Sequence, residues 1–128
     1  NEITKAILSN KKNLKKIVDI VHKEIGEKME FFLKKNKNKR IIILDIPLLL
    51  ENKINSKKDI LVFVDSKKKD IQKRLIKRKN FNRKLFDRFK KIQFSSNYKK
   101  RKSHFIIKND FKKQSVKNGI KNILNTIL

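Results

Sequence analysis

Three short apolar runs constrain this chain more than anything else in it: IIILDI at residues 41–46, DILVFVD at 59–65 and HFIIKN at 104–109. A continuous apolar run of that length, bounded by polar residues, marks a strand covered on both faces. Around the runs the spacing changes to threes and fours. Between Lys11 and Lys35 the residues Leu14, Ile17, Val18, Val21, Ile25, Met29, Phe32 and Leu33 build one helical stripe, with Ser9 placed to cap it. After the second run, Ser66 can cap a helix whose apolar face is Ile71, Leu75 and Ile76. A closing helix is marked by Val116, Ile120, Ile123, Leu124 and Ile127. Covered strands alternating with helices predict an α/β fold, a parallel sheet with helices on both faces. The charged stretch 79–102 carries Phe81, Leu85, Phe86, Phe89, Ile92 and Phe94 at helical intervals. It predicts two short helices projecting between the second and third strands.

A chain of 128 residues supplies one domain or part of one. It begins with Asn1 and its only methionine is Met29, inside the helical stripe, so either the start is trimmed or this is a piece of a longer chain, and the motifs below favour the piece. No stretch is long and apolar enough to span a membrane, and no signal-peptide pattern is visible. Without cysteine there is no disulfide, no thiolate metal site and no thiol nucleophile; a cytoplasmic location is the default. The net charge of +25 ordinarily points to polyanions. Here lysine dominates the basic residues and is spread end to end, and Lys, Ile and Asn together make half the chain. These three share A/T-rich codons, so compositional drift explains the charge without a dedicated nucleic-acid surface. Weak, salt-sensitive binding to polyanions follows from the charge alone, and no specific nucleic-acid partner is expected. Nothing in the sequence sets the oligomeric state.

In open parallel sheets, ligands bind beyond the carboxyl ends of the strands. Asp45, Asp65 and Asn109 sit at such ends. Asp45 closes a run of four aliphatics, the shape of a carboxylate that holds magnesium beside nucleotide phosphates; the plainer alternative is a solvated acid capping the next turn. Pro47 fixes φ and turns LLLE away from the sheet, so Glu51 either faces the same cleft or lies exposed on a short helix. Arginine is scarce, yet Arg74, Arg78, Arg83 and Arg88 fall within fifteen residues. A rigid guanidinium fork suits phosphates, although ordinary helix-surface charge explains the cluster as well. Arg74 and Arg78, four apart, share a helix face. His22 and His104 make no metal or triad spacing. The only glycines, Gly26 and Gly119, both fall in helical patterns, whereas a phosphate-binding loop needs several close together; the sequence contains no such loop.

Taken together, these residues resemble the dephospho-CoA kinase family of P-loop kinases. LDIPLLLE is similar to that family's LDIPLLFE signature, and DILVFVD to its D-x-V-x-VVD strand. QKRLIKR at 72–78 resembles the family's Q-x-x-R-x-x-x-R helix, and Arg88 and Gln93 in RFKKIQ match its R-I-x-x-Q element. Lys100 and Arg101 match a K-R before the last strand, Asn109 the Asn of a VI-x-N ending, and KKIVDIVHKEI the HP-x-I helix through His22. Lys23, Leu50, Ser103 and His104 depart from the pattern, as does Phe111, which stands where a glycine is common.

The resemblance implies transfer of the γ-phosphate of ATP, with Mg2+, to the 3′-hydroxyl of dephospho-CoA, the last step of coenzyme A biosynthesis. It implies a three-layer P-loop kinase fold whose first strand, phosphate loop and catalytic Asp precede the residues present. In that fold the P-loop strand lies between IIILDI and ILVFVD. The implied division is a substrate region at 1–40, a nucleotide-binding core at 41–79 and 103–128, and a lid at 80–102. Asp45 is implied to support the metal, and Arg78 and Arg88 to clamp phosphates from the lid. Arg74, Lys100 and Asn109 are implied on the nucleotide side, with Asn109 beside the adenine. His22, Pro47, Leu48 and Glu51 are implied on the dephospho-CoA side. The 128 residues alone are then expected to be marginally stable and inactive. Two other readings stay open. A P-loop kinase acting on a different nucleoside is separable by a substrate panel. A basic nucleic-acid-binding module requires binding that survives moderate salt.

Overall fold

The computed structural model describes residues 2–128. The chain divides into two compact units, one holding the residues up to Asn55 together with Arg83–Gln93, the other Ser56–Asn82 and Phe94–Leu128.

In the first unit, helix α1 (Glu2–Ser9) runs into the long helix α2 (Lys11–Lys35). The corner between them is closed by asparagines. Asn10 is the N-cap of α2, in extended conformation, and its side chain accepts from Lys12 N–H at 2.9 Å. The Asn13 amide donates to Ala6 O at 2.9 Å. Ser9, expected as this cap, instead ends α1, its hydroxyl donating to Ala6 O. Asn is as good a cap as Ser, and Asn10 stands one residue nearer the first helical turn. Ile7, 3% exposed, and Leu14, 5% exposed, form the buried centre. Off the predicted stripe Ile20 and Phe31 are exposed, and so are Val21 and Phe32 on it. Helix α2 ends at Asn36, whose backbone N–H reaches the carbonyls of Phe32 and Leu33.

Residues 41–46, expected as the first strand, form none. A strand exists only as a ladder with a neighbour, and among the described residues of its own unit no segment pairs with it. Its apolar pattern remains, with Ile43 85% exposed. Pro47 does end the run as expected, and residues 48–53 wind into a turn closed by Asn52 N–H to Leu48 O and Ile54 N–H to Leu49 O, both at 3.1 Å. The unit is completed by α4 (Arg83–Ile92).

The second unit holds a parallel two-stranded sheet, β1 (Val62–Asp65) beside β2 (Phe105–Lys108), with Val64 opposite Ile107 and Asp65 opposite Lys108. The same unit holds helices α3 (Lys68–Ile76), α5 (Ser96–Lys102) and α6 (Lys113–Ile127). The α/β class and the parallel pairing stand, with a sheet of two strands rather than three among the described residues. Side chains opposite each other share a face. On the Val64–Ile107 face lies α6, so close that a Cβ on Gly119 would come within 3.0 Å of Ile107 Cγ2. On the other face Lys100 of α5 reaches Asp65. His104 directly precedes β2 as a structural residue, its Nδ1 accepting from Leu61 N–H at 2.9 Å while its own backbone N–H donates to Leu61 O. Ser66 does not cap α3; Lys67 occupies the N-cap position without a side-chain bond. The two short helices predicted in 79–102 are α4 and α5.

Candidate functional site

The sequence-predicted site residues divide between the units: His22, Asp45, Pro47, Leu48, Glu51 and Arg88 in the first, Arg74, Arg78, Lys100 and Asn109 in the second.

In the first unit, residues 43–46 and Ile25, Lys28, Met29 and Phe32 of α2 line an apolar groove of about 290 Å3. The Asp45 carboxylate is exposed at this groove, with Lys28 among the same lining residues. The turn after it is shaped by three features. Pro47 fixes its own φ. Leu48 follows with φ 56°, a left-handed conformation that leucine rarely takes and that costs roughly 1–3 kcal/mol. Glu51 is half-buried, with Oε2 shielded from solvent.

This turn is tied to α2 through Asn52, whose Nδ2 lies 2.8 Å from His22 Nε2 and 3.0 Å from Leu48 O. Two residues assigned to the substrate side, His22 and Leu48, are thus linked by one that sequence reasoning passed over. The available signal was local: an Asn directly after the LDIPLLLE block, where a turn was expected, is suited to bond nearby backbone. Arg88 donates from both terminal nitrogens to α1, to Ile7 O and, at 2.7 Å, to Leu8 O. Its fork is spent on the helix end.

In the second unit the Lys100 ammonium lies 2.7 Å from Asp65 Oδ2 and 5.8 Å from the centre of the Phe63 ring. The Arg74 guanidinium stacks over the Phe111 ring at 4.0 Å. Phe111 itself has φ 64°, the left-handed geometry that a glycine supplies without strain. The Asn109 side chain accepts from Phe111 N–H at 2.9 Å, and Asn109 N–H donates to Asp65 O at 2.7 Å. Arg74 and Asn109 therefore meet around one loop, through Phe111. The next residue, Asp110, accepts from Lys112 N–H at 3.0 Å. That bond first, then the Ser115 hydroxyl, holds its carboxyl below the ordinary value. Arg78 is exposed on the turn that follows α3.

Among the described residues no group of three or more His, Cys, Asp or Glu side chains could hold a metal ion, and no helix is long and apolar enough to cross a membrane.

Comparison with known proteins gives one consistent result. The family model for dephospho-CoA kinase matches residues 1–115. The dephospho-CoA kinase of Wolbachia pipientis wMel is 28% identical over 127 residues, which cover 98% of this chain and 65% of that protein. The dephospho-CoA kinase of the Wolbachia of Brugia malayi is 28% identical over 133 residues, covering 98% of this chain and 68% of that protein. The dephospho-CoA kinase of Fusobacterium nucleatum is 27% identical over 128 residues, covering 98% and 65%. The chain spans about two thirds of the length of these curated relatives.

Proposed function

Because the chain belongs to the dephospho-CoA kinase family, we propose that its protein transfers the γ-phosphate of ATP to the 3′-hydroxyl of dephospho-CoA, giving CoA and ADP. The observation that carries this reading is the family match over residues 1–115, which includes the Asp45–Glu51 block. In the reaction the 3′-oxygen forms a bond to the γ-phosphorus as the bond from that phosphorus to the β-γ bridging oxygen breaks. The hydroxyl proton is released to solvent, so that CoA, ADP and one proton are the products. Catalysis of this kind consists mainly of positioning and charge stabilisation.

In this reading Asp45 holds Mg2+ beside the phosphates. An exposed single carboxylate fits that ion, which keeps several waters and takes one or two carboxylates together with substrate phosphates. When bound, the ion neutralises charge on the transferring phosphoryl group. Arg78 and Arg88 clamp phosphates, the latter after leaving the carbonyls of α1. Arg74, Lys100 and Asn109 serve the nucleotide side, and His22, Pro47, Leu48 and Glu51 the dephospho-CoA side.

The test is CoA formation by the full-length protein from dephospho-CoA, ATP and Mg2+, run beside a panel of nucleosides and nucleotides. Turnover confined to dephospho-CoA, lost in Asp45→Asn, is the expected result. Phosphorylation of a nucleoside with no CoA formed would refute it.

A further inference from the structure

His22 carries an asymmetry that the kinase reading leaves unused. Its Nε2 lies 2.8 Å from Asn52 Nδ2, while its Nδ1 is shut off from solvent with no hydrogen-bond partner among the described residues. The same Asn52 nitrogen lies 3.0 Å from the carbonyl oxygen of Leu48. A carbonyl oxygen only accepts, so the nitrogen side of the amide has to face Leu48; the flipped amide would set two oxygens against each other. The second hydrogen on that nitrogen then points at His22, and Nε2 has to supply the lone pair. In the neutral ring the proton therefore sits on Nδ1. The Leu48 carbonyl orients Asn52, and Asn52 selects the tautomer of His22.

The same carbonyl also accepts from the Asn52 backbone N–H at 3.1 Å, so both amides of Asn52 converge on it. They converge on a residue whose φ of 56° needs support from its surroundings. The bond to His22 joins this turn to α2 across thirty positions of sequence.

We propose that Asn52 is a positioning residue: by holding His22 as the neutral Nδ1–H tautomer it fastens the 48–53 turn to α2, and so keeps Leu48 and Glu51 in place for dephospho-CoA. Only that last step rests on the kinase reading; the proton assignment stands on the hydrogen-bond geometry.

The test is a long-range 1H–15N correlation on the full-length protein with labelled histidine, at a pH where imidazole is neutral. The expected parental spectrum shows His22 protonated on Nδ1 and bare on Nε2. Asn52→Asp replaces the donor by a carboxylate that only accepts, and moves the proton to Nε2. Asn52→Leu weakens dephospho-CoA binding about five-fold, the scale of one lost hydrogen bond, and leaves ATP binding unchanged. Should Asn52→Leu not fold, the parental spectrum and Asn52→Asp decide. A parental Nε2–H tautomer, or a tautomer indifferent to Asn52→Asp, overturns the inference. Equal loss of both ligands in Asn52→Leu overturns the positioning role in favour of general packing. A parental protein that binds neither ligand sinks the kinase reading and the substrate step with it, while the tautomer result still judges Asn52.

Discussion

Replacing Arg88 by methionine separates a structural duty from a phosphate-binding one. Both terminal nitrogens of Arg88 donate to carbonyls in the last turn of α1, those of Ile7 and Leu8. These oxygens belong to the four at a helix end that have no intrahelical partner, and a cation there also meets the negative end of the helix dipole. A hydrogen bond to a charged group contributes roughly 1.5–3 kcal/mol net. Arg88 is half-buried rather than sealed, so the lower end applies, and the dipole contribution overlaps with the bonds themselves. The pair is therefore worth about 2–3 kcal/mol. Lysine keeps the charge but not the fork, so Arg88→Lys should recover about half of it. Urea unfolding of the full-length protein without nucleotide gives the total, and hydrogen exchange of the α1 amides shows whether the loss is local. If Arg88→Met costs less than about 0.5 kcal/mol, the scale of an ordinary surface change, and α1 exchange is unaltered, the capping argument is wrong.

Five further outcomes are expected. Asp110 has its carboxyl pKa lowered by the Lys112 N–H and then the Ser115 hydroxyl. Its contribution is complete above the unfolded-state value and disappears as pH falls through the folded-state value, so the stability gap between the parent and Asp110→Ala should close on acidification. Gly119→Ala gains about 1 kcal/mol of helix propensity but drives a methyl against Ile107, 8% exposed, so overpacking of roughly 1–3 kcal/mol should win. Gly26→Ala, with nothing within 4 Å of the added Cβ, should stabilise by about 0.5–1 kcal/mol, and a chemical melt comparing the two variants checks both signs. Lys100→Met should cost about 1 kcal/mol or less, more at low salt, because both partners of the Asp65 pair are about one-third exposed. Finally, the 128-residue chain alone should melt without a cooperative transition. Among the described residues only Ile7, Leu14 and Ile107 are buried hydrophobics, and Ile43, Ile20 and Phe31 stand largely in solvent. A sharp calorimetric peak would refute that.

The parts of this fold that were legible in sequence are those whose cause is local. The stripe from Leu14 to Leu33 encodes α2 because helix periodicity is a property of consecutive residues. The apolar runs around Val64 and Ile107 encode strands that find each other. IIILDI carries the same signal and forms no strand, because periodicity records a preference for burial while a ladder needs a second segment. Caps were legible to within a residue: Ser9 and Asn10 are both good N-caps, and the choice between them lies in the corner that α1 makes with α2. The bond from Asn52 to His22 was invisible for a stronger reason. The two partners are thirty residues apart, and nothing in a one-dimensional pattern joins an Asn in a turn to a His on a helix. Phe111 was legible in part, since a position that suits glycine is now seen at φ 64°, with the Arg74 stack supporting the ring that glycine would lack.

The arginines bring these two scales together. In a chain whose cheap cation is lysine, a retained guanidinium points to work that an ammonium does poorly. At Arg74 that work is a planar stack on Phe111, and at Arg88 a two-pronged bond to the end of α1. Neither task needs a ligand, so scarcity of arginine identifies geometric demand and not phosphate binding as such. The Arg88 bonds nevertheless hold its fork in a defined place, and a phosphate oxygen competes well with them, since a charge-assisted bidentate contact is stronger than one to a neutral carbonyl. In the proposed kinase reading Arg88 closes a helix end in the free protein and would turn to phosphate when nucleotide arrives. The cost of removing it should then differ between the two states: a loss of α1 protection without nucleotide, and a loss of turnover with it.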